Sequence, residues 1–168
     1  MRIFLIGMMG AGKTTLGVQL AQALDYPFVD MDAYIEQRES RTIAQLFEQE
    51  GAERFRELER EALEAVVQEY AQAVIATGGG MPCFHNNMAY INQHGKSVFL
   101  DVPETEIVRR LAASDLSVRP LLANKSEAEL QAFVGNTLAD RRKFYEQARY
   151  IFRGEADLES ILSVLNKE

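Results

Sequence analysis

Short apolar runs recur along the chain at Ile3–Ile6, Pro27–Val29, Ala73–Ala76, Ser97–Leu100 and Tyr150–Phe152. Each is too short for a helix and nearly continuous in its apolar character, as expected of strands buried on both faces. Between them the apolar positions fall at three- and four-residue spacing. Leu16, Leu20 and Leu24 form one such stripe, and Phe55, Leu58, Ala62, Val66 and Tyr70 another. This periodicity predicts helices over 13–24, 32–38, 42–50, 52–71, 104–112, 126–148 and 155–166. Strands alternating with helices specify an α/β fold of three layers, a five-stranded parallel sheet flanked by helices. In such a sheet, ligands are expected at the carboxyl ends of the strands. The least periodic stretch, Ala113–Asn124 with Pro120 inside it, is expected to be a mobile loop between two helices.

Composition narrows the possibilities. At 168 residues the chain fits one domain, 1–168, with room for a sizeable core. A net charge of −7 argues against general binding to nucleic acid or to anionic membranes. Any anionic ligand must then be met by locally clustered Arg and Lys. One cysteine, Cys83, forbids an intrachain disulfide, and His85 and His94 alone make no zinc set. No apolar stretch reaches membrane-spanning length, and the N-terminus enters a strand at once. A cytoplasmic location is therefore expected. The charged exterior favours a monomer.

The most specific chemistry follows the first strand. Gly7-Met8-Met9-Gly10-Ala11-Gly12-Lys13-Thr14 fits G-x-x-x-x-G-K-[S/T] and leads into the first helix. Its glycines let successive backbone N–H groups curl around phosphate oxygens, and the helix presents its positive end to the same point. Lys13 is placed to reach β- and γ-phosphates, and the Thr14 hydroxyl to ligate Mg²⁺. A plain glycine-rich turn is the bland alternative.

Other candidates lie at later strand ends. Asp30 and Asp32 follow the second strand; Asp30 suits the metal side, through water, and Asp32 a substrate hydroxyl, with a role as its base. Either acid could instead cap the helix that starts at Ala33. Thr77-Gly78-Gly79-Gly80 ends the third strand and would let backbone approach a ligand closely. Arg56, three residues before Glu59, is a candidate fork for a carboxylate, braced by that acid. Arg54, Glu57, Arg60, Glu61 and Glu64 read as a solvated face. Arg119, before Pro120 in the irregular stretch, is a candidate phosphate cap on a lid. Of Arg141-Arg142-Lys143, adjacent on one helix, at most two can face a site.

Taken together, these segments resemble the shikimate kinase family. The resemblance rests on the order of GMMGAGKT, Asp30-Met31-Asp32, Phe55-Arg56-Glu57-Leu58-Glu59, Gly78-Gly79-Gly80, Arg119-Pro120-Leu121-Leu122 and Arg141 with Tyr145, and it spans Gly7 to about Arg149. It implies a P-loop kinase fold and transfer of the ATP γ-phosphate to the 3-hydroxyl of shikimate, on the route to chorismate and aromatic amino acids. It also implies residue roles. Gly10, Ala11, Gly12, Lys13, Thr14 and Thr15 would hold ATP phosphates. Thr14 would hold Mg²⁺, with Asp30 supporting the metal shell. Asp32 would take shikimate hydroxyls, Arg56 and Arg141 would grip its carboxylate, and Gly79 would meet the ring through its backbone. Arg119 would close over the phosphates. The substrate-binding helical segment would cover about 31–61 and the lid about 112–124. The chain departs from the family pattern at Ala52, where an acid is common, and after Tyr150, where a short Asp-Thr stretch is absent. Competing readings are a P-loop kinase for gluconate or a nucleoside monophosphate, and a binding module without catalysis.

Overall fold

The computed structural model describes residues 1–114 and 122–167. Its five strands are β1 (Arg2–Ile6), β2 (Phe28–Asp30), β3 (Ala73–Ala76), β4 (Lys96–Asp101) and β5 (Tyr150–Arg153). They form one parallel sheet in the order β2-β3-β1-β4-β5. The α/β expectation therefore holds in strand number, direction and position. The central strands are the most apolar because they are covered on both faces: Ile3 to Ile6 and Ala73 to Ile75 have no accessible surface.

The helices are α1 (Lys13–Leu24), α2 (Met31–Glu39), α3 (Ile43–Glu69), α4 (Asn87–His94), α5 (Glu104–Ala112), α6 (Glu127–Tyr145) and α7 (Leu158–Leu165). A 3₁₀ turn covers Met81–Cys83. The predicted break between 42–50 and 52–71 is a kink inside α3 at Gly51, whose φ of 81° and ψ of 168° suit glycine and little else. Thr42 starts that helix in a capping box with Gln45. The periodicity overran two ends. The last helix begins at Leu158 rather than 155 because Asp157 caps it, accepting from the Ser160 N–H. The preceding one stops at Tyr145 rather than 148, where the chain turns into β5. The sequence reading missed α4, a short polar helix with Met88 and Ile91 as its apolar anchors.

β1 lies between β3 and β4, and the chain leaves it first toward one side of the sheet and later toward the other. Its carboxyl end is thus a topological switch point, where an open α/β sheet forms a crevice. Gly7–Gly12 emerge there. At the opposite end of β1, the Arg2 guanidinium donates to the carbonyls of Val67, Tyr70 and His94, which closes the ends of α3 and α4. Tyr145 is fully buried beside Phe99, with ring centroids 5.1 Å apart, so α6 is anchored over β4. Among the described residues no helix is long and apolar enough to cross a membrane.

Candidate active site

The crevice is a cavity of about 960 Å³ whose wall includes Gly10 to Thr15, Asp30, Asp32, Gly78 and Gly79. Six consecutive P-loop residues thus face one space. Gly12 sits immediately before α1 with a left-handed φ of 89°, which aims the first N–H groups of the helix into the cavity. The Lys13 ammonium donates to the carbonyls of Gly7 and Met8 at 2.6 and 2.9 Å, so it lies across the loop.

Asp30 caps α2 and also meets the P-loop threonine. Its Oδ1 accepts from the Ala33 N–H at 3.1 Å and caps α2. Its Oδ2 accepts from the Thr14 hydroxyl at 3.3 Å, which brings the two proposed metal-side oxygens together. Asp32 is not a cap; it occupies the first turn of α2 and reaches the cavity wall. A Cβ built at Gly78 would lie 3.0 Å from Asp32 Oδ1 and 3.4 Å from Glu59 Oε2. The α2 acid and the α3 acid therefore flank the first glycine of the triplet.

Arg56 lies on the other side of that triplet. Its Nη1 donates to Glu59 Oε1 at 2.6 Å, so the brace expected from the spacing exists. Its guanidinium carbon lies 4.2 Å from the Phe84 ring centroid and 5.4 Å from that of Phe55. A flat cation held between ring faces and a carboxylate has little rotameric freedom left to lose on binding. A Cβ at Gly80 would sit 2.5 Å from Arg56 Nη1, so only glycine admits the arginine this close to the backbone. Burial outweighs the Arg56 partner at Glu59: the carboxyl, 2% exposed, is pushed up to about 7.

Of the cationic triplet on α6, Arg141 turns inward. Its buried Nη1 has no hydrogen-bond partner and would lie 2.9 Å from a Cβ at Gly79. A buried donor without an acceptor is costly unless something arrives to meet it. One turn later the Tyr145 hydroxyl donates to the Gly79 carbonyl at 2.5 Å, which ties α6 to the glycine loop. Arg142 instead pairs with Asp101 at 3.0 Å, and Lys143 lies over Phe144. Arg141 also lines a neighbouring cavity of about 510 Å³ with Cys83 and Phe84. Neither Arg56 nor Arg141 lines the larger cavity; Arg141 approaches it at Gly79, and Arg56 lies against the next residue, Gly80.

Two positions stand differently from their expectation. Arg119 falls outside the described residues, as does most of the segment assigned to the lid. Arg60, expected on the solvated face, pairs with Glu64 but also donates to Asn87 and to the His85 carbonyl and stacks on Tyr90 at 4.3 Å. It therefore fastens α3 to α4. Two further features had no settled role from the sequence, although the family resemblance offered Arg110 as a match to an adenine-side arginine. Arg110 on α5 donates to the Gly10 carbonyl at 3.1 Å and lines the cavity, and Gly154 to Asp157 form the wall beside it. Beside that resemblance, the sequence shows at Arg110 an ordinary Glu106–Arg110 helical spacing. Among the described residues no cluster of three or more acidic, histidine or cysteine side chains could enclose a metal.

Comparison with known proteins bears on this geometry. The shikimate kinase family model matches residues 9–166. A shikimate kinase of Phocaeicola vulgatus is 45% identical over 99% of each chain. The crystal structure of shikimate kinase from Bacteroides thetaiotaomicron superposes with a TM-score of 0.89 at 45% identity, covering 99% of this chain and 96% of that one. Shikimate kinase from Acinetobacter baumannii, solved in complex with shikimate, superposes with a TM-score of 0.88 at 33% identity, covering 99% and 94%. The P-loop crevice, the matched residues and this likeness over nearly the whole length agree: the chain belongs to the shikimate kinase family.

Proposed function

We infer that the crevice holds the two substrates of one phosphoryl transfer, from ATP to the 3-hydroxyl of shikimate, giving shikimate 3-phosphate and ADP. The observation that carries the residue assignment is the convergence of Arg56 and Arg141 on Gly79 and Gly80, with Asp32 across Gly78 and the P-loop beside it. A small acceptor with a carboxylate at one end and hydroxyls at the other matches that spacing of cations and acid.

The ATP phosphates lie along Gly10 to Thr15, received by backbone N–H groups and the positive end of α1. Lys13 moves from the loop carbonyls to the β- and γ-oxygens. The acceptor carboxylate is gripped by Arg56 and Arg141 in charge-assisted hydrogen bonds. Its ring rests on the glycine backbone at Gly79, where a side chain would exclude it. Asp32 accepts from the 3-hydroxyl, orients it in line with the γ-phosphorus and takes its proton as the bond to phosphorus forms. Lys13, with Arg119 from the lid at about 112–124, offsets the charge on the moving phosphoryl group.

Thr14 and Asp30 fit Mg²⁺, an ion that uses few protein oxygens and keeps water and phosphate for the rest. Thr14 would hold it directly and Asp30 through water, and the ion would supply charge neutralisation between the β- and γ-phosphates. The segment 31–61 carries Asp32 and Arg56 together and acts as the acceptor-binding part of a single domain. The enzyme acts as a cytoplasmic monomer.

Shikimate binding by Arg56→Ala tests the assignment. Affinity falls about 10–100-fold while ATP binding is retained, since Arg56 touches only the acceptor. Unchanged shikimate affinity would remove Arg56 from the carboxylate site.

A further inference from the structure

Glu59 is a charged group that the phosphoryl transfer itself does not use. It stands almost without accessible surface on α3, and it is faced by Arg56 of the same helix and by groups from three other parts of the fold. Arg56, one turn earlier, donates to it at 2.6 Å. Asp32 of α2 lies across the Gly78 backbone that follows β3. Arg141 of α6 and the Cys83 thiol of the 3₁₀ turn complete the set. The cluster holds two guanidinium groups and two carboxyl groups, so its charges balance before any ligand arrives when both acids are ionised.

We propose that binding of the acceptor's carboxylate to this cluster takes up one proton onto Glu59, which makes Glu59 a proton-linked positioning residue for Arg56. The proposal rests on the reading that Arg56 and Arg141 receive that carboxylate. A third anion then enters a partly buried group of two cations, where water screens less than in bulk. Neutralising one carboxylate restores the balance. Asp32 is exposed to the crevice and keeps its hydration, whereas Glu59 has none to keep. The proton is also within reach at neutral pH, because burial already holds Glu59 at about 7. Burial pushes the Cys83 thiol up to about 11 and the Tyr145 hydroxyl further still, so both are already protonated and can accept nothing. Once neutral, Glu59 still accepts from Arg56 through its carbonyl oxygen and keeps the fork in place. The charge of Arg56 is then available to the substrate.

The sign follows from linkage. Uptake on binding means that affinity weakens as pH rises through the range where the free site loses its proton. Titration calorimetry of shikimate into the nucleotide-free protein, in phosphate and in Tris buffers, counts the protons. Uptake should be small at pH 6, about half a proton at pH 7, and approach one at pH 8. The dissociation constant should be nearly flat below pH 6 and rise toward tenfold per unit above pH 7. Glu59→Gln should bind with no uptake and with affinity independent of pH. Binding without uptake at all three pH values overturns the proposal, as does equal uptake by Glu59→Gln. If that variant does not fold, a wild-type dissociation constant that stays flat from pH 6 to 8 does the same. Loss of shikimate binding altogether, from folded protein, instead removes the substrate assignment beneath it.

Discussion

Two carboxylates flank Gly78, and water reaches them differently. Asp32 is exposed to the crevice, and Glu59 is sealed behind Arg56. Substituting Asp32 by Asn should therefore lower turnover about 10²–10⁴-fold while ATP still binds, as steady-state kinetics beside nucleotide titration would show. Retained turnover would end its role at the hydroxyl. Glu59 leaves a signature in stability. Its carboxyl titrates at about 7 in the folded protein against 4.5 ordinarily, so the folded state holds a proton that the unfolded chain has released. Its contribution is full below pH 4.5 and is lost as pH rises through 7. Denaturant unfolding at pH 5 and pH 8 should show wild type losing up to about 3 kcal/mol relative to Glu59→Gln across that interval. A constant difference would show that Arg56 keeps the acid ionised throughout. At this scale the sequence was legible where a motif is contiguous, as in Gly7–Thr14, or where spacing builds a pair, as in Arg56 and Glu59. Only the family resemblance singled out Arg141; spacing alone did not say which of Arg141, Arg142 and Lys143 faces inward. That depends on the phase of α6 against β4, set by Tyr145 beneath Phe99.

Elements place these residues through a few fastenings. Tyr145 ties α6 to the glycine triplet through the Gly79 carbonyl. Tyr145→Phe leaves that carbonyl without its donor and should cost about 1–3 kcal/mol in unfolding free energy. It should also raise the KM for shikimate more than that for ATP, because Arg141 lies one turn away. Gly51 lets the early part of α3 turn away from the part that carries Arg56 and Glu59. A methyl group there meets nothing within 4 Å, yet the backbone angles exclude it. Gly51→Ala should therefore destabilise by about 1–3 kcal/mol without any steric clash, measurable by thermal unfolding. A neutral result would mean that the kink relaxes freely. Strong periodicity made the long elements readable, including the break at Gly51. The helix α4 escaped because two apolar residues in eight carry almost no pattern, and its position is settled by Arg60 and Arg2 reaching from elsewhere.

The whole molecule is acidic, yet both substrates are anions. The fold resolves this by drawing cations from distant parts of the chain to one end of the sheet: Lys13 from the P-loop, Arg56 from α3, Arg110 from α5 and Arg141 from α6. The strand order β2-β3-β1-β4-β5 opens the crevice where Lys13 emerges and brings α3 and α6 to either side of the β3 glycines. Fold class and reaction were readable because they rest on the order of motifs. The place of Gly154 to Asp157 in the wall was not, and that of Arg110 was left open, since both arise from segments far apart in sequence meeting over the P-loop. The most direct test of the central claim is ADP release from Mg-ATP, followed by a coupled assay, with shikimate, gluconate or AMP as acceptor and with none. Strong release with shikimate alone is the predicted result. Release that is equal without shikimate, or greater with gluconate or AMP, would contradict the assignment of Arg56, Arg141 and Asp32 to that acceptor.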